Sequence, residues 1–324
     1  MKILFIADLH IKLGQKNVPA EWALNRYNLL EEQLETIQEQ ADIVVLGGDI
    51  FDKLPNMAEL EVYFKLISIF NRPTFIIDGN HEATKKGATF FSQLEFVSKS
   101  VNPKVVVVDN YFSYNGVDFI PYCKLKHFEA NPYVPTNKVL ITHVRGEIPP
   151  HVKPEVDLSI FDKWQVVLAG DLHSYDNCQR NILYPGSPVT TSFHRSVVDT
   201  GVILFDTNTL GHEWIKLNLP QLLVETVKAG DPMPATDYHH TIYEVTGDLA
   251  ELSNMEDNVL LSKKVVKRSI DTALMLEPDM TLAAEVAEYL QYILQLNDKA
   301  IEDALKELNT YANKFNWSHS MEPT

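Results

Sequence analysis

Cysteine is almost missing from this 324-residue chain, which holds only Cys123 and Cys178. Two thiols cannot build a disulfide framework and are too few for a Cys₄ or Cys₂His₂ zinc site, so two reduced, partly buried thiols are expected. Long apolar runs are missing as well. No stretch reaches the ~20 residues that a bilayer span needs. The run that opens at Ile3 stops at Asp8, too short for a secretion signal, so a cytoplasmic protein without membrane association is expected. Basic charge is in deficit: 28 Lys and Arg stand against 44 Asp and Glu, a net charge of −16. That balance argues against a general polyanion binder, which carries a basic face, unless bound cations or a partner protein supply the positive charge. Internal repeats and low-complexity tracts are also lacking.

What the chain does have is five short segments that each end an apolar, strand-like run with a metal-ligating type of side chain. They are Asp8-Leu9-His10, Gly48-Asp49, Gly79-Asn80-His81, Thr142-His143 and Gly170-Asp171-Leu172-His173. The runs before them are Ile3 to Ala7, Ile43 to Leu46, Thr74 to Ile77, Val139 to Ile141 and Val166 to Ala169. Strand ends on one edge of a sheet converge, so residues far apart in sequence can share a site. Asp, His and Asn without Cys suit hard or borderline divalent ions such as Mn²⁺, Mg²⁺ or Zn²⁺. Each motif alone is weak; the signal is the ordered set.

Between the runs lie helical faces with 4-then-3 spacing: Leu30, Leu34 and Ile37; Leu60, Phe64 and Ile67; Phe90, Leu94 and Val97. Strand–helix alternation implies a layered α/β domain. Tyr111 to Ser113, Asn115-Gly116 and Val117 to Ile120 read as a hairpin with a tight turn. Strands are expected at Gly201 to Phe205 and His212 to Leu217, and the first domain closes near Pro220. Gly230 to Pro234 reads as a linker. Thr241 to Val245 and Val259 to Val266 around a short helix at Leu249 to Ser253 make a small α/β module. Thr281 to Leu294 and Lys299 to Phe315 read as a terminal helical hairpin, with Ile301, Leu305, Leu308, Ala312 and Phe315 as a stripe. Such a stripe packs on its own domain or docks a partner.

A ligand set of this kind permits two-metal hydrolysis of a phosphoester, in which a metal-held hydroxide attacks phosphorus in line with the leaving oxygen. Asp49 is the best bridging candidate, because each of its two oxygens can face one ion. At this point the order Asp-x-His, Gly-Asp, Gly-Asn-His, His, Gly-x-x-His resembles the calcineurin-like metallophosphoesterases. Asp8-Leu9-His10-Ile11, Gly48-Asp49-Ile50-Phe51-Asp52 and Tyr184-Pro185-Gly186-Ser187-Pro188 with Ser192-Phe193 resemble the SbcD-type nuclease subunits of DNA double-strand-break repair complexes. The resemblance covers residues 1 to about 220.

It implies a layered metallophosphoesterase sandwich of mixed sheets flanked by helices over residues 1–220. A small α/β capping domain over 221–275, a C-terminal helical hairpin over 276–316 and a tail at 317–324 would follow. It implies that Asp8, His10, Asp49 and His173 hold one metal and that Asp49, Asn80, His143 and Asp171 hold the other. His81 would contact the scissile phosphate and help protonate the leaving oxygen. Two Mn²⁺ ions are the implied cofactor, with Mg²⁺ as a substitute. Phosphodiester hydrolysis in DNA, as exonuclease and endonuclease, is the implied reaction. An SbcC-type coiled-coil ABC ATPase and a second copy of the chain are the implied partners, in a bacterial or phage-infected cell.

Two departures stand out. Asp171 takes the place of the family's usual histidine, an anionic oxygen for a neutral imidazole, which should favour Mn²⁺ or Mg²⁺ over softer ions. Glu82 replaces the aspartate that usually follows Asn-His, so a contact to His81 is expected to change. Lys85 and Lys86 would reach the DNA backbone. Lys263, Lys264, Lys267 and Arg268 protect a strand edge or contact phosphate. Two other readings stay open: a phosphoesterase for small molecules or phosphoproteins, and a DNA-end tethering scaffold with a degenerate metal site.

Overall fold

Ile3-Leu4-Phe5-Ile6 is apolar at every position because its strand is buried on both faces. In the computed structural model, which describes residues 1–83, 89–132, 135–256, 258–266 and 280–314, Leu4 and Ile6 face helices while Ile3 and Phe5 face a second sheet. Lys85, Lys86, Lys267, Arg268, Phe315 and the 317–324 tail lie outside the described residues.

The strands are β1 (Lys2–Ile6), β2 (Ile43–Gly47), β3 (Thr74–Ile77), β4 (Val105–Val108), β5 (Phe112–Tyr114), β6 (Val117–Ile120) and β7 (Val139–His143). After them come β8 (Val166–Gly170), β9 (Ile182–Leu183), β10 (Gly201–Asp206), β11 (Gly211–Lys216), β12 (Leu222–Lys228), β13 (His240–Gly247) and β14 (Leu261–Val266). The first sheet runs β11-β10-β1-β2-β3-β4, the second β5-β6-β7-β8-β9 and the third β12-β13-β14. Strands β1 to β4 are mutually parallel, as are β6 to β9, with β10 and β11 as an antiparallel edge on the first sheet.

The first two sheets pack face to face through Phe5, Val45, Phe75, Phe119, Ile141 and Leu168. Helices α1 (Ala20–Ile37), α2 (Met57–Ser68) and α3 (Phe91–Val101) cover the outer face of the first sheet, and α4 (Tyr122–Ala130) that of the second. This is a four-layer sandwich in which the central strands are buried on both sides.

Helix α1 buries Leu30, Leu34 and Ile37 as its spacing implies. On α2 the deepest residues are Val62, Tyr63, Leu66 and Ile67, with Leu60 and Phe64 half-buried. The face is rotated because Glu59 is drawn inward. It closes a capping box with Asn56 and accepts the Leu13 N–H at 3.1 Å. On α3, Phe91 takes the core and Val97 is exposed, so the stripe through Val97 does not form. Asn115 and Gly116 turn the β5–β6 hairpin with φ of 46° and 85°. Strand β12 was not anticipated; it pairs parallel to β13, so the Gly230 to Pro234 segment joins two neighbours of one sheet. Both cysteines are free and half-buried.

By internal packing the chain divides into two units, one of Met1–Gly247 with Glu251–Val265, the other of Asp248–Ala250 with the described residues from Val266 onward. In the second, α6 (Leu282–Glu288) and α7 (Asp298–Lys314) pack on each other. The short helix α5 (Leu249–Ser253) precedes them in the chain. No helix among the described residues is long and apolar enough to cross a membrane.

Candidate metal centre

Every anticipated motif sits at the carboxyl end of a parallel strand: Asp8 and His10 after β1, Asp49 after β2, Asn80 after β3, His143 closing β7, and Asp171 and His173 after β8. The chain makes these turns with unusual backbone. Asp8, His10, Asp49 and Asp171 have φ of 57°, 42°, 49° and 108°. Non-glycine residues rarely adopt this region, and such conformations concentrate at functional sites, where the surrounding fold enforces them. Between β1 and β2 the pairing continues through the turns: Asp8 N–H donates to the Gly48 carbonyl (3.0 Å), His10 N–H to Asp49 (2.9 Å) and Ile11 N–H to Ile50 (2.7 Å). Gly79 must lack a side chain, since a Cβ there would lie 2.2 Å from Asp49 Oδ1.

The two oxygens of Asp49 face different donor groups. Oδ2 lies 3.6 Å from His10 Nε2 and 3.8 Å from His81 Nε2; Oδ1 lies 3.6 Å from His143 Nε2. On the first side His10 Nε2 and His173 Nε2 are 3.1 Å apart, and an atom from each of Asp8, His10 and His173 falls within 4.8 Å of the others. On the second side Asn80 Oδ1 is 3.0 Å from His143 Nε2, and Asp171 Oδ1 is 3.9 Å from the same nitrogen. His143 gives its Nδ1 hydrogen to the Gly47 carbonyl (2.9 Å), which leaves the Nε2 lone pair pointing into the cluster. His81 does the same with its Nδ1 on the Asp52 carbonyl (2.6 Å), and its ring is about one-third exposed.

The donor set fits divalent cations. Asn80 turns its amide oxygen toward acceptors, although reversing the amide would let its nitrogen donate to Asp49 Oδ2 (3.3 Å) and Asp171 Oδ1 (3.1 Å). An oxygen among oxygens suits a cation between them. His10 Nδ1 is buried with no hydrogen-bond partner among the described residues. Electrostatics agree. Burial, with Asp49 and Asp171 nearby, pushes the Asp8 carboxyl up to about 8 despite His143. Burial works against protonating His143, yet Asp49, Asp8, Asp171 and the Gly47 carbonyl together raise it to about 9. Burial lowers His10 to about 3 and lowers His173 as well. A divalent ion would hold these carboxylates ionised and these imidazoles neutral.

Supporting contacts came from residues whose roles the sequence did not disclose. Glu82 is buried and accepts three backbone N–H groups: Asp49 (3.0 Å), Phe51 (2.9 Å) and Gly79 (2.8 Å). The extra methylene therefore serves the backbone of two ligand turns, and His81 takes its orienting contact from Asp52 instead. Burial and then Asp49 push the Glu82 carboxyl up to about 8. Glu82→Ala would leave buried donors unpaired and should cost about 3 kcal/mol or more of unfolding free energy, which a urea titration measures. Ser187 of the Pro-Gly-Ser signature places Oγ 2.6 Å from the Asp8 carbonyl, and its N–H donates to the His173 carbonyl (3.2 Å). Tyr27 donates to the His10 carbonyl (3.1 Å), and Thr191 Oγ1 lies 3.3 Å from His173 Nδ1. Lys263 pairs with Glu244 at 2.8 Å.

Asp8, His10, Asp49, His81, His143 and His173 fall in three overlapping groups, with Asn80 and Asp171 beside His143, while Lys85 and Lys86 fall outside the described residues. A chain with this sandwich and this strand-end cluster is a metal-dependent phosphoesterase. Residues 1–175 match the calcineurin-like phosphoesterase family, and the chain belongs to it. Among curated relatives, "Probable exonuclease subunit 1" of Escherichia phage T5 is 39% identical over 327 residues, covering 98% of this chain and 100% of its own. The "DNA double-strand break repair protein Mre11" of Archaeoglobus fulgidus is 31% identical over 101 residues, 29% of this chain and 22% of its own. A solved archaeal phosphodiesterase overlays with a TM-score of 0.38 at 15% identity, covering 67% of this chain and 100% of its own.

Proposed function

We propose that the chain is a two-metal DNA phosphodiesterase, the exonuclease and endonuclease subunit of an SbcCD-type complex. The observation that carries this is the division of Asp49, whose Oδ2 turns to His10 and His81 and whose Oδ1 turns to His143. Asp8, His10, Asp49 and His173 would hold one ion; Asp49, Asn80, His143 and Asp171 would hold the other. Ions bound there would supply Lewis-acid activation of the phosphate and of an attacking water. The all-oxygen-and-nitrogen donor set, with three carboxylates, favours Mn²⁺ or Mg²⁺.

His81 performs the protein's own share of the chemistry. Its Nδ1–H is fixed on the Asp52 carbonyl, and its Nε2 lies 3.8 Å from Asp49 Oδ2 on a ring that is about one-third exposed. As an imidazolium, His81 would carry a second proton on Nε2, contact the scissile phosphate through it and pass it to the leaving oxygen, returning to the neutral ring with its hydrogen on Nδ1.

A nuclease is supported by the name of the T5 relative, and DNA by that of the archaeal one. The word "subunit" in the first supports a partner. An SbcC-type ATPase has a candidate seat on the terminal helices, where Ile301, Leu305 and Leu308 recur on one side of α7. A second copy has one on α2 and α3, where Met57 is 80% and Phe96 81% exposed.

The test is degradation of end-labelled linear duplex DNA with Mn²⁺, wild type against His81→Ala. The variant should cut 10²- to 10⁴-fold more slowly, about the range for losing a general acid. Equal rates would remove His81 from the reaction. Silence from both, with the ATPase added, would favour a tethering scaffold.

A further inference from the structure

Asp171 is the ligand position at which this chain departs from its family, and it is not free. Arg145, two residues beyond His143, grips its carboxylate with both arms: Nε donates to Oδ2 at 3.2 Å and an η nitrogen to Oδ1 at 3.3 Å. The Asp171 side chain is 6% exposed and that of Arg145 42%, so the pair spans from the buried cluster to its mouth. Arg145 is itself seated. Its N–H donates to Glu155 Oε1 (3.1 Å), and Glu155 Oε2 accepts the Tyr122 hydroxyl (2.7 Å). Tyr122 packs edge-on against the His143 ring, with centroids 5.9 Å apart. Asp171 Oδ1 meanwhile keeps its approach to His143 Nε2 (3.9 Å) and to the Asn80 amide oxygen (3.1 Å).

We propose that Arg145 is the positioning residue for the second metal. It holds Asp171 so that Oδ1 faces the ion, and it offsets the negative charge that aspartate introduces where the family carries a neutral imidazole. Arginine suits the task because its planar fork fixes a carboxylate in orientation as well as in charge. Hydrogen-bond partners of metal ligands are commonly worth 10- to 100-fold in affinity. The inference rests on the two-metal reading of the same site.

Calorimetric titration of the full, metal-stripped chain with Mn²⁺ alone tests it. Wild type should bind two ions. Arg145→Gln should bind one as before and the other about 10- to 100-fold more weakly. Arg145→Lys should fall between them, because charge returns without the fork. Asp171→Asn should weaken the same ion, and adding Arg145→Gln to it should change little more, because both act through one contact. Two ions bound by Arg145→Gln at wild-type affinities would overturn the Arg145 inference and leave the metal site standing. Fewer than two ions in wild type would overturn both.

Discussion

Asp49→Asn should give a folded chain whose phosphodiesterase activity is reduced about 10⁴-fold or more and whose metal-free form melts at a higher temperature. The loss follows from the division of the carboxylate between two donor groups. An amide offers one good oxygen and a nitrogen that repels cations, so both ions are weakened together. If each contributes about 3 kcal/mol to the transition state, their joint loss is several powers of ten. The stability gain comes from the same residue. Asp49 is 2% exposed and raises the carboxyls of both Asp8 and Glu82. Removing its charge from a crowded buried cluster relieves that repulsion, a case of function held at a cost in stability. The paired measurement is the hydrolysis rate with Mn²⁺ and a thermal scan in chelator. Activity within tenfold of wild type would exclude Asp49 as the bridge.

Removing the metals should abolish hydrolysis completely and should also change how stability depends on pH. Asp8 and Glu82 titrate near 4 in an unfolded chain and near 8 in the folded, metal-free one. His143 titrates near 6.5 unfolded and near 9 folded. Between pH 7 and 8 the folded chain therefore holds more protons than the unfolded one, and stability falls as pH rises, by about 1.4 kcal/mol per proton per pH unit. The lowered values of His10 and His173 act in the opposite sense, but only below about pH 6.5, where the unfolded imidazoles become charged. Saturating Mn²⁺ should flatten the slope above pH 7 and release protons as it binds. Melting temperatures at pH 7 and 8, with and without chelator, make the comparison. A metal-free chain that is equally stable at both would mean these carboxyls are already ionised.

The cluster was legible because its parts obey a rule of position: five apolar runs, each ending in a ligand type, must converge if the strands are parallel neighbours. The sandwich followed from uninterrupted runs such as Ile43 to Leu46, which need cover on two faces. What stayed hidden depends on contacts across long sequence separations. Glu82 looked like a lengthened neighbour of His81, but its carboxylate turns to the backbones of Asp49 and Phe51. Arg145 looked like a loop arginine until Asp171 was found beside it. The α3 stripe failed at Val97 because adjacent phenylalanines competed for the core and Phe91 won it. Strand β12 is masked in the sequence because Pro220 precedes it and Gly230, Pro232 and Pro234 follow it, the punctuation of a linker.

The ligands also divide mechanically. Asp8, His10, Asp49 and Asn80 ride on the first sheet, and the first three are laced together by the backbone bonds that carry β1–β2 pairing through the turns. His143, Asp171 and His173 ride on the second. Each proposed ion is therefore a rivet through a seam, with donors on either side of it. The thickness of the filling between the sheets, set by rings such as Phe5, Phe75 and Phe119, is then the gauge that fixes the bore of both rivet holes. Close-packed interiors do not stretch by fractions of an ångström without penalty. Sites remote from any ligand, deep between the sheets, thus have a say in which cation the enzyme accepts.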